Sequence, residues 1–296
     1  MNTFVEISAR FYDNIEHYFH GKKSDHYFSI FFVSSFIGAI IIIQLNVMGL
    51  LPYFLSSFVP HNHMMAVTLV LNFILVKEVL DMIFSLSYSV SAAQRKQLEV
   101  LSLILLRSSF KELSNLHNAQ SWEVMREPVL HILSYGFSAL IIFVFVLYYY
   151  KLKNIPMLYE VEEKNSFVAE KKSIALILLI NFIVIAFFDF ITALEIKSYK
   201  PSFADFFNVF IFGDILIVLV SFKYSKMYFT VFRNSGFALA TVLIRIAMTS
   251  PPFIQEALGI LTAVFAYGIA YAYNKYSQGV FDEECKKRKG LVPRRD

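Results

Sequence analysis

Seven stretches of this chain are apolar for long enough to cross a lipid bilayer, and no other feature limits its fold as much. They are residues 27–51, 64–88, 129–150, 173–194, 203–222, 229–249 and 254–276. A helix needs ~20 mostly apolar residues to pass through the hydrocarbon core. Composition agrees with that count: the 296 residues are 57% hydrophobic and only 17% charged, where soluble domains carry about a quarter charged residues. The expectation is an all-α integral membrane protein.

An eighth stretch, 97–116, is harder to read because it carries Glu99, Arg107, Lys111 and Glu112. Hydropathy alone would accept it as a surface helix or as a span. Lysine and arginine gather in cytoplasmic loops, and that rule decides the matter. If 97–116 spans, one side collects the basic residues of segments 22–23, 95–96, 151–172 and 223–233 together with the KKRK tail. The other side keeps only Arg126, Lys197 and Lys200. Without that span the two sides mix. The sequence therefore predicts eight transmembrane helices in a bacterial inner membrane, with both termini cytoplasmic. The net charge of +4 follows from this bias. It points to anionic lipid at the cytoplasmic face as a partner and not to nucleic acid.

The segments outside the spans follow from these boundaries. Residues 1–26 carry acids throughout and lack an early apolar core, unlike a signal peptide. Within them FVEISARFYDNIEHYF places Phe4, Ile7, Phe11, Ile15 and Phe19 near helical spacing. That is an amphipathic helix, either lying on the inner leaflet or docked against the bundle. Residues 151–172 form a charged cytoplasmic linker between two four-helix halves, 27–150 and 173–276. Residues 277–296 form a basic tail, in which LVPR resembles a protease recognition sequence and has no part in the argument. The lone Cys285 excludes an internal disulfide framework.

The halves repeat. The first contains Asn72, Glu78, Arg95 and Arg107, the second Asn208, Asp214, Arg233 and Arg245. Asparagine and acid are separated by five residues in both halves, and the two arginines by eleven in both. The acid-to-arginine gap is sixteen in one half and eighteen in the other, with the difference falling at a turn where length changes are tolerated. Each half begins on the same side, so the repeat is parallel, with a pseudo-two-fold axis expected along the membrane normal.

The stretch GDILIVLVSFKYSKMYFTVFRNSGFALATVLIRIAMTSPP (213–252) resembles the core of the phosphate-starvation-inducible PsiE family of small four-helix membrane proteins. The resemblance covers 203–276 best. It matches the family's second-helix acid to Asp214, its turn lysine to Lys223, its two arginines to Arg233 and Arg245, and its proline to Pro251 or Pro252. In the first half Glu78, Arg95 and Arg107 match, while the outer loop 117–128 is longer. The resemblance implies a duplicated four-helix architecture and assigns no activity.

Arg107 and Arg245 need partners inside the membrane, because a buried guanidinium cannot shed its charge and an unpaired one costs ~3 kcal/mol or more. Counted from Arg95 along the helix, Arg107 is expected at about the depth of Glu78 on the preceding helix, with Asp81 one turn away able to share it. Asp214 and Arg245 are expected to meet likewise. Asn72 and Asn208 would face a different azimuth and bond a neighbouring helix. Such charges either line a path for an ion or small solute, or only fix helix packing. The first reading makes the chain a channel or transporter, with Glu78, Asp81, Arg107, Asp214 and Arg245 at its site. Arg95, Arg233, Lys223, Asn72 and Asn208 would support them. The second makes it a non-transporting stress sensor or scaffold. Neither arginine helix has the Arg ladder of a voltage sensor. His61 and His63 lack a third ligand, so no metal is expected. Asp189 and Asp205 read as interfacial acids able to share an outer cation. No catalytic or nucleotide motif occurs, so neither enzyme activity nor a cofactor is expected. A homodimer is compatible with the many apolar surfaces.

Overall fold

The computed structural model describes residues 3–52, 56, 59, 62–87, 90–116, 121–152, 161–196, 203–224 and 228–288. His61, Lys226, residues 153–160 of the expected linker and the last eight residues of the tail lie outside the described residues. The described chain is all helical, with nine helices and no strand among its described residues. They are α1 (Thr3–Phe19), α2 (Lys22–Val47), α3 (Met64–Ser85), α4 (Val90–Leu116), α5 (Trp122–Tyr150), α6 (Val161–Ile196), α7 (Phe203–Tyr224), α8 (Tyr228–Thr249) and α9 (Ile254–Arg288).

Five of these helices are long and apolar enough to cross a membrane: Lys23–Val47, Trp122–Tyr150, Ser166–Asp189, Tyr228–Thr249 and Ile254–Tyr276. The others fall short for identifiable reasons. Helix α3 carries Lys77, Glu78 and Asp81 in mid-sequence, and α4 carries the charges noted above. The described apolar stretch of α7, Asn208–Ser221, is short. At 1.5 Å per residue the 27 residues of α4 extend ~40 Å, so charge and not length sets it apart.

Two boundaries differ from expectation. Residues 161–172 belong to α6, so the charged linker is in large part the first turns of a helix. The tail likewise continues α9 as far as Arg288. Both extensions are polar segments continuing an apolar helix; that of α6 has no glycine or proline to stop it, and that of α9 runs on through Gly279. By contrast α2 does stop, at a turn where Gly49 takes φ 70 and Leu50 N–H reaches back to the Leu45 carbonyl. That is a left-handed helix terminus that favours glycine.

Packing centres on α4, which contributes to both apolar cores. One core joins Val100 and Ile104 of α4 to Leu75, Val79 and Met82 of α3, to Leu178 of α6 and to Phe210 of α7. The other joins Leu98, Leu101 and Leu105 to Ile142 of α5, Phe237 and Ile244 of α8, and Ala263 and Ala266 of α9. The third helices of the two expected halves, α4 and α8, pack on each other, and so do the fourth helices, α5 and α9. Small residues let α8 and α9 approach closely: a side chain on Gly236 would meet Ile269 at 2.4 Å, the pattern by which helices associate in lipid.

Helix α1 is docked on the bundle. Tyr12 is fully buried, and its hydroxyl donates to the Phe84 carbonyl at 2.9 Å. Ser8 bonds Ser173 at 2.7 Å, and Lys172 pairs with Asp13 at 2.6 Å. The docked stripe is Ser8, Tyr12, Ile15 and Phe19, whereas Ile7 and Phe11 of the predicted stripe point away and stay exposed.

Candidate functional site

The charges expected within the membrane are held by α3, α4, α7 and α8. The expected direct contact between acid and arginine is made in neither half. Arg107 Nη1 instead reaches the Leu71 carbonyl and Asn72 Oδ1 on α3, each at 3.5 Å. Glu78 acts on Arg107 only through space. The reason is where the helix starts. Helix α4 begins at Val90, five residues before Arg95, so Arg107 is its eighteenth residue and lies ~26 Å along it. Glu78 lies only ~10 Å from the end of α3. Arg107 therefore overshoots its acid and meets Asn72, the residue expected to look elsewhere.

Asp81 does not share Arg107. It pairs with Lys77 at 3.3 Å and with His20 at 3.6 Å, and Lys77 also reaches Asp25 at 3.5 Å. This cluster joins α3 to the end of α1 and the start of α2. Lys77 stands one turn before Asp81 on α3, the i, i+4 spacing that brings the two together.

The second half repeats the overshoot, in a more buried setting. Arg245 is the eighteenth residue of α8 and is 2% exposed. Its Nη2 contacts Met82 Sδ at 3.2 Å, its Nη1 contacts Met248 Sδ at 3.5 Å, and its guanidinium lies 4.5 Å from the Phe210 ring centre. Asp214, 7% exposed, is within electrostatic range of Arg245. Its hydrogen bond comes from elsewhere: Gln97 Nε2 donates to Oδ1 at 3.3 Å. Oδ2 has no hydrogen-bond partner among the described residues.

Gln97 links the halves. Its Oε1 accepts from the Thr241 hydroxyl of α8 at 2.7 Å, and the same hydroxyl lies 3.2 Å from Gln94 Oε1. Gln94 is 2% exposed, and its Nε2 also lacks a hydrogen-bond partner. Asp214, Gln94, Gln97 and Thr241 line one cavity of ≈ 20 Å³ between α4, α7 and α8, room for about one water. Gln94 and Gln97 were not singled out in the sequence. Two glutamines three apart, and so on one face of the helix, were the available signal, since a buried amide must find partners.

The first arginine of each pair sits alike in both halves. The Arg95 guanidinium stacks 4.1 Å from the Tyr150 ring centre at the end of α5, and that of Arg233 stacks 4.2 Å from Tyr273 on α9. Arg233 also donates to Asn234 Oδ1 from Nε (3.2 Å) and Nη2 (3.0 Å), and Asn234 in turn bonds Ser221 of α7. Tyr150 closes the run YYY (148–150) and Tyr273 lies in YGIAYAYNKY (267–276), stretches with the composition of an interfacial aromatic belt. Replacing either by leucine is expected to cost about 0.5–2 kcal/mol of unfolding free energy in detergent. Tyr273 should cost more, because Arg233 is the more buried cation.

The remaining expected residues lie apart. Lys223 pairs with Glu170 at 2.7 Å in an exposed position. Asn208 is exposed and does not mirror Asn72. His63 bonds Gln44 at 2.9 Å. Asp189 is half-buried, and the side chain of Asp205 lies outside the described residues. No group of three or more His, Cys, Asp or Glu able to hold a metal occurs among the described residues. Comparison with known proteins finds no matching family model, curated protein or solved structure.

Proposed function

We propose that this chain is a polytopic bacterial inner-membrane protein that moves a small ion, with its site at Asp214, Gln97 and Arg245. The eight-span, two-repeat architecture is part of that proposal. It is supported by the matched Arg–Tyr stacks, by the equal position of Arg107 and Arg245 in their helices, and by the pairing of α4 with α8 and of α5 with α9. The same features support the PsiE-like reading of each half. Orientation with both termini in the cytoplasm rests on the distribution of lysine and arginine, as does contact with anionic lipid.

The observation that carries the functional reading is the state of Asp214. A carboxylate buried among membrane-length helices is costly unless it is paired and fully hydrogen-bonded. A group kept only to fix packing would have both oxygens engaged. Here Oδ2 has no hydrogen-bond partner among the described residues, Asp214 lines a small cavity, and the guanidinium within electrostatic range is engaged by sulfur and an aromatic ring. The small size of the cavity favours an ion over a larger solute.

The test is ion flux in proteoliposomes for the wild-type chain, Asp214→Asn and Arg245→Gln. Wild-type flux that Asp214→Asn abolishes by tenfold or more, in protein that stays helical, is the expected result. Absence of wild-type flux under gradients of either sign would replace this reading with the sensor or scaffold. In that role the same charges and the docked α1 would serve only to hold the helices in place.

A further inference from the structure

The cavity beside Asp214 is lined by groups that select among small ions. We propose that Asp214 is a proton-binding site, whose unpartnered Oδ2 takes up a proton delivered as hydronium to the cavity shared with Gln94; this rests on the ion-moving reading of the same site.

The donors and acceptors around the cavity carry the argument. A hard metal cation is held by a shell of oxygen ligands. The carboxylate instead accepts from an amide nitrogen, Gln97 Nε2, and shares its cavity with another, Gln94 Nε2, which has no hydrogen-bond partner among the described residues. Such nitrogens would repel a metal ion and suit a water, which can accept from Gln94 and donate to Oδ2. The volume of ≈ 20 Å³ admits one such water. The Thr241 hydroxyl has a single hydrogen facing Gln97 Oε1, Gln94 Oε1 and the Phe237 carbonyl. That hydrogen is taken by these acceptors, so Thr241 donates nothing to Asp214 and Oδ2 stays open to a proton.

In the uptake step a hydronium in the cavity gives its proton to Oδ2. A carboxylic acid and a water result, and the new O–H donates to the water. Three groups facing Asp214 decide how readily this happens. Arg245 on α8 opposes uptake, as a fixed positive charge within electrostatic range. Gln97 and Gln94 on α4 are neutral and indifferent to pH.

Infrared difference spectroscopy on the reconstituted full chain tests the proposal. Spectra are taken across a pH series in H2O and D2O, for wild type, Arg245→Gln, and Asp214→Asn made in the Arg245→Gln background. That last variant removes both charges together and so keeps the site neutral if Asp214→Asn alone fails to fold. The expected result is a carboxylic-acid C=O band that titrates, shifts in D2O, strengthens in Arg245→Gln and disappears in the double variant. Identical bands in Arg245→Gln and the double variant would overturn the proposal. So would sodium-dependent thermal stabilisation at fixed pH that only proteins retaining Asp214 show. A titrating band without wild-type flux would leave the proton site standing and sink the transport reading. Flux without the band would do the reverse.

Discussion

Asp214→Asn is expected to destabilise the protein by about 3–5 kcal/mol, the cost of leaving a buried charge uncompensated, while Arg245→Gln should cost markedly less. The asymmetry comes from proton chemistry. With Asp214 neutralised, Arg245 is left buried at 2% exposure with a charge it cannot shed. With Arg245 neutralised, Asp214 can take up a proton and become neutral in turn. The double variant Asp214→Asn/Arg245→Gln should recover most of the loss, giving a coupling energy of at least ~2 kcal/mol in a double-mutant cycle. Unfolding in mixed detergent at neutral pH measures all three. Additive losses, or a larger loss for Arg245→Gln than for Asp214→Asn, would show that the two charges do not work as a pair. Arg107→Gln supplies the contrast. Its guanidinium is only half-buried and its bonds are long, at 3.5 Å, so about 1 kcal/mol is the expected loss.

This contrast also marks what the sequence could disclose. The residue types and spacings of the repeat are legible in one dimension, and they place both arginines at the same position in their helices. The depth of each partner was not legible, because it depends on where the helix begins. Counting from Arg95 missed the turn and a half between Val90 and Arg95, and that offset moved Arg107 from Glu78 to Asn72. Contacts between the halves were out of reach for a different reason. Gln97 meets Asp214, and Arg245 meets Met82, across more than a hundred residues of chain. No local periodicity encodes such a meeting. The Arg–Tyr stacks lie between these cases. Their arginines were identified, but the tyrosines are separated from them by a loop whose length differs between the halves.

Tyr12→Ala is expected to release α1 from the bundle. Deleting a fully buried aromatic side chain costs about 3–5 kcal/mol, and Tyr12 is the one fully buried side chain among the described side chains of α1. The other ties of α1 are the half-buried Ile15 and Phe19, the Ser8–Ser173 bond, the Asp13–Lys172 pair and the His20–Asp81 contact at its end. The Asp13 and His20 contacts are partly exposed, and such pairs contribute at most about 1 kcal/mol each. A helix of 17 residues is also only marginally stable in water once undocked. The measurable consequence is faster trypsin cleavage after Arg10 in the detergent-solubilised chain, with α2–α9 left intact. Tyr12→Phe keeps the ring in place and loses only the hydroxyl bond to Phe84, about 1 kcal/mol, so its cleavage should rise only slightly. The pair of variants separates docking from membrane attachment. The exposed face of α1 carries Ile7, Phe11 and Tyr18, and a helix held mainly by lipid would depend on that face. Protection lost in Ile7→Ser/Phe11→Ser and kept in Tyr12→Ala would show that the bilayer holds α1. Protection lost in Tyr12→Ala alone makes the helix a fixed part of the bundle. In that case the Lys77, Asp81 and His20 cluster is a joint between α1 and α3, one turn from Glu78, and any displacement of α1 must act on the charges of the first half.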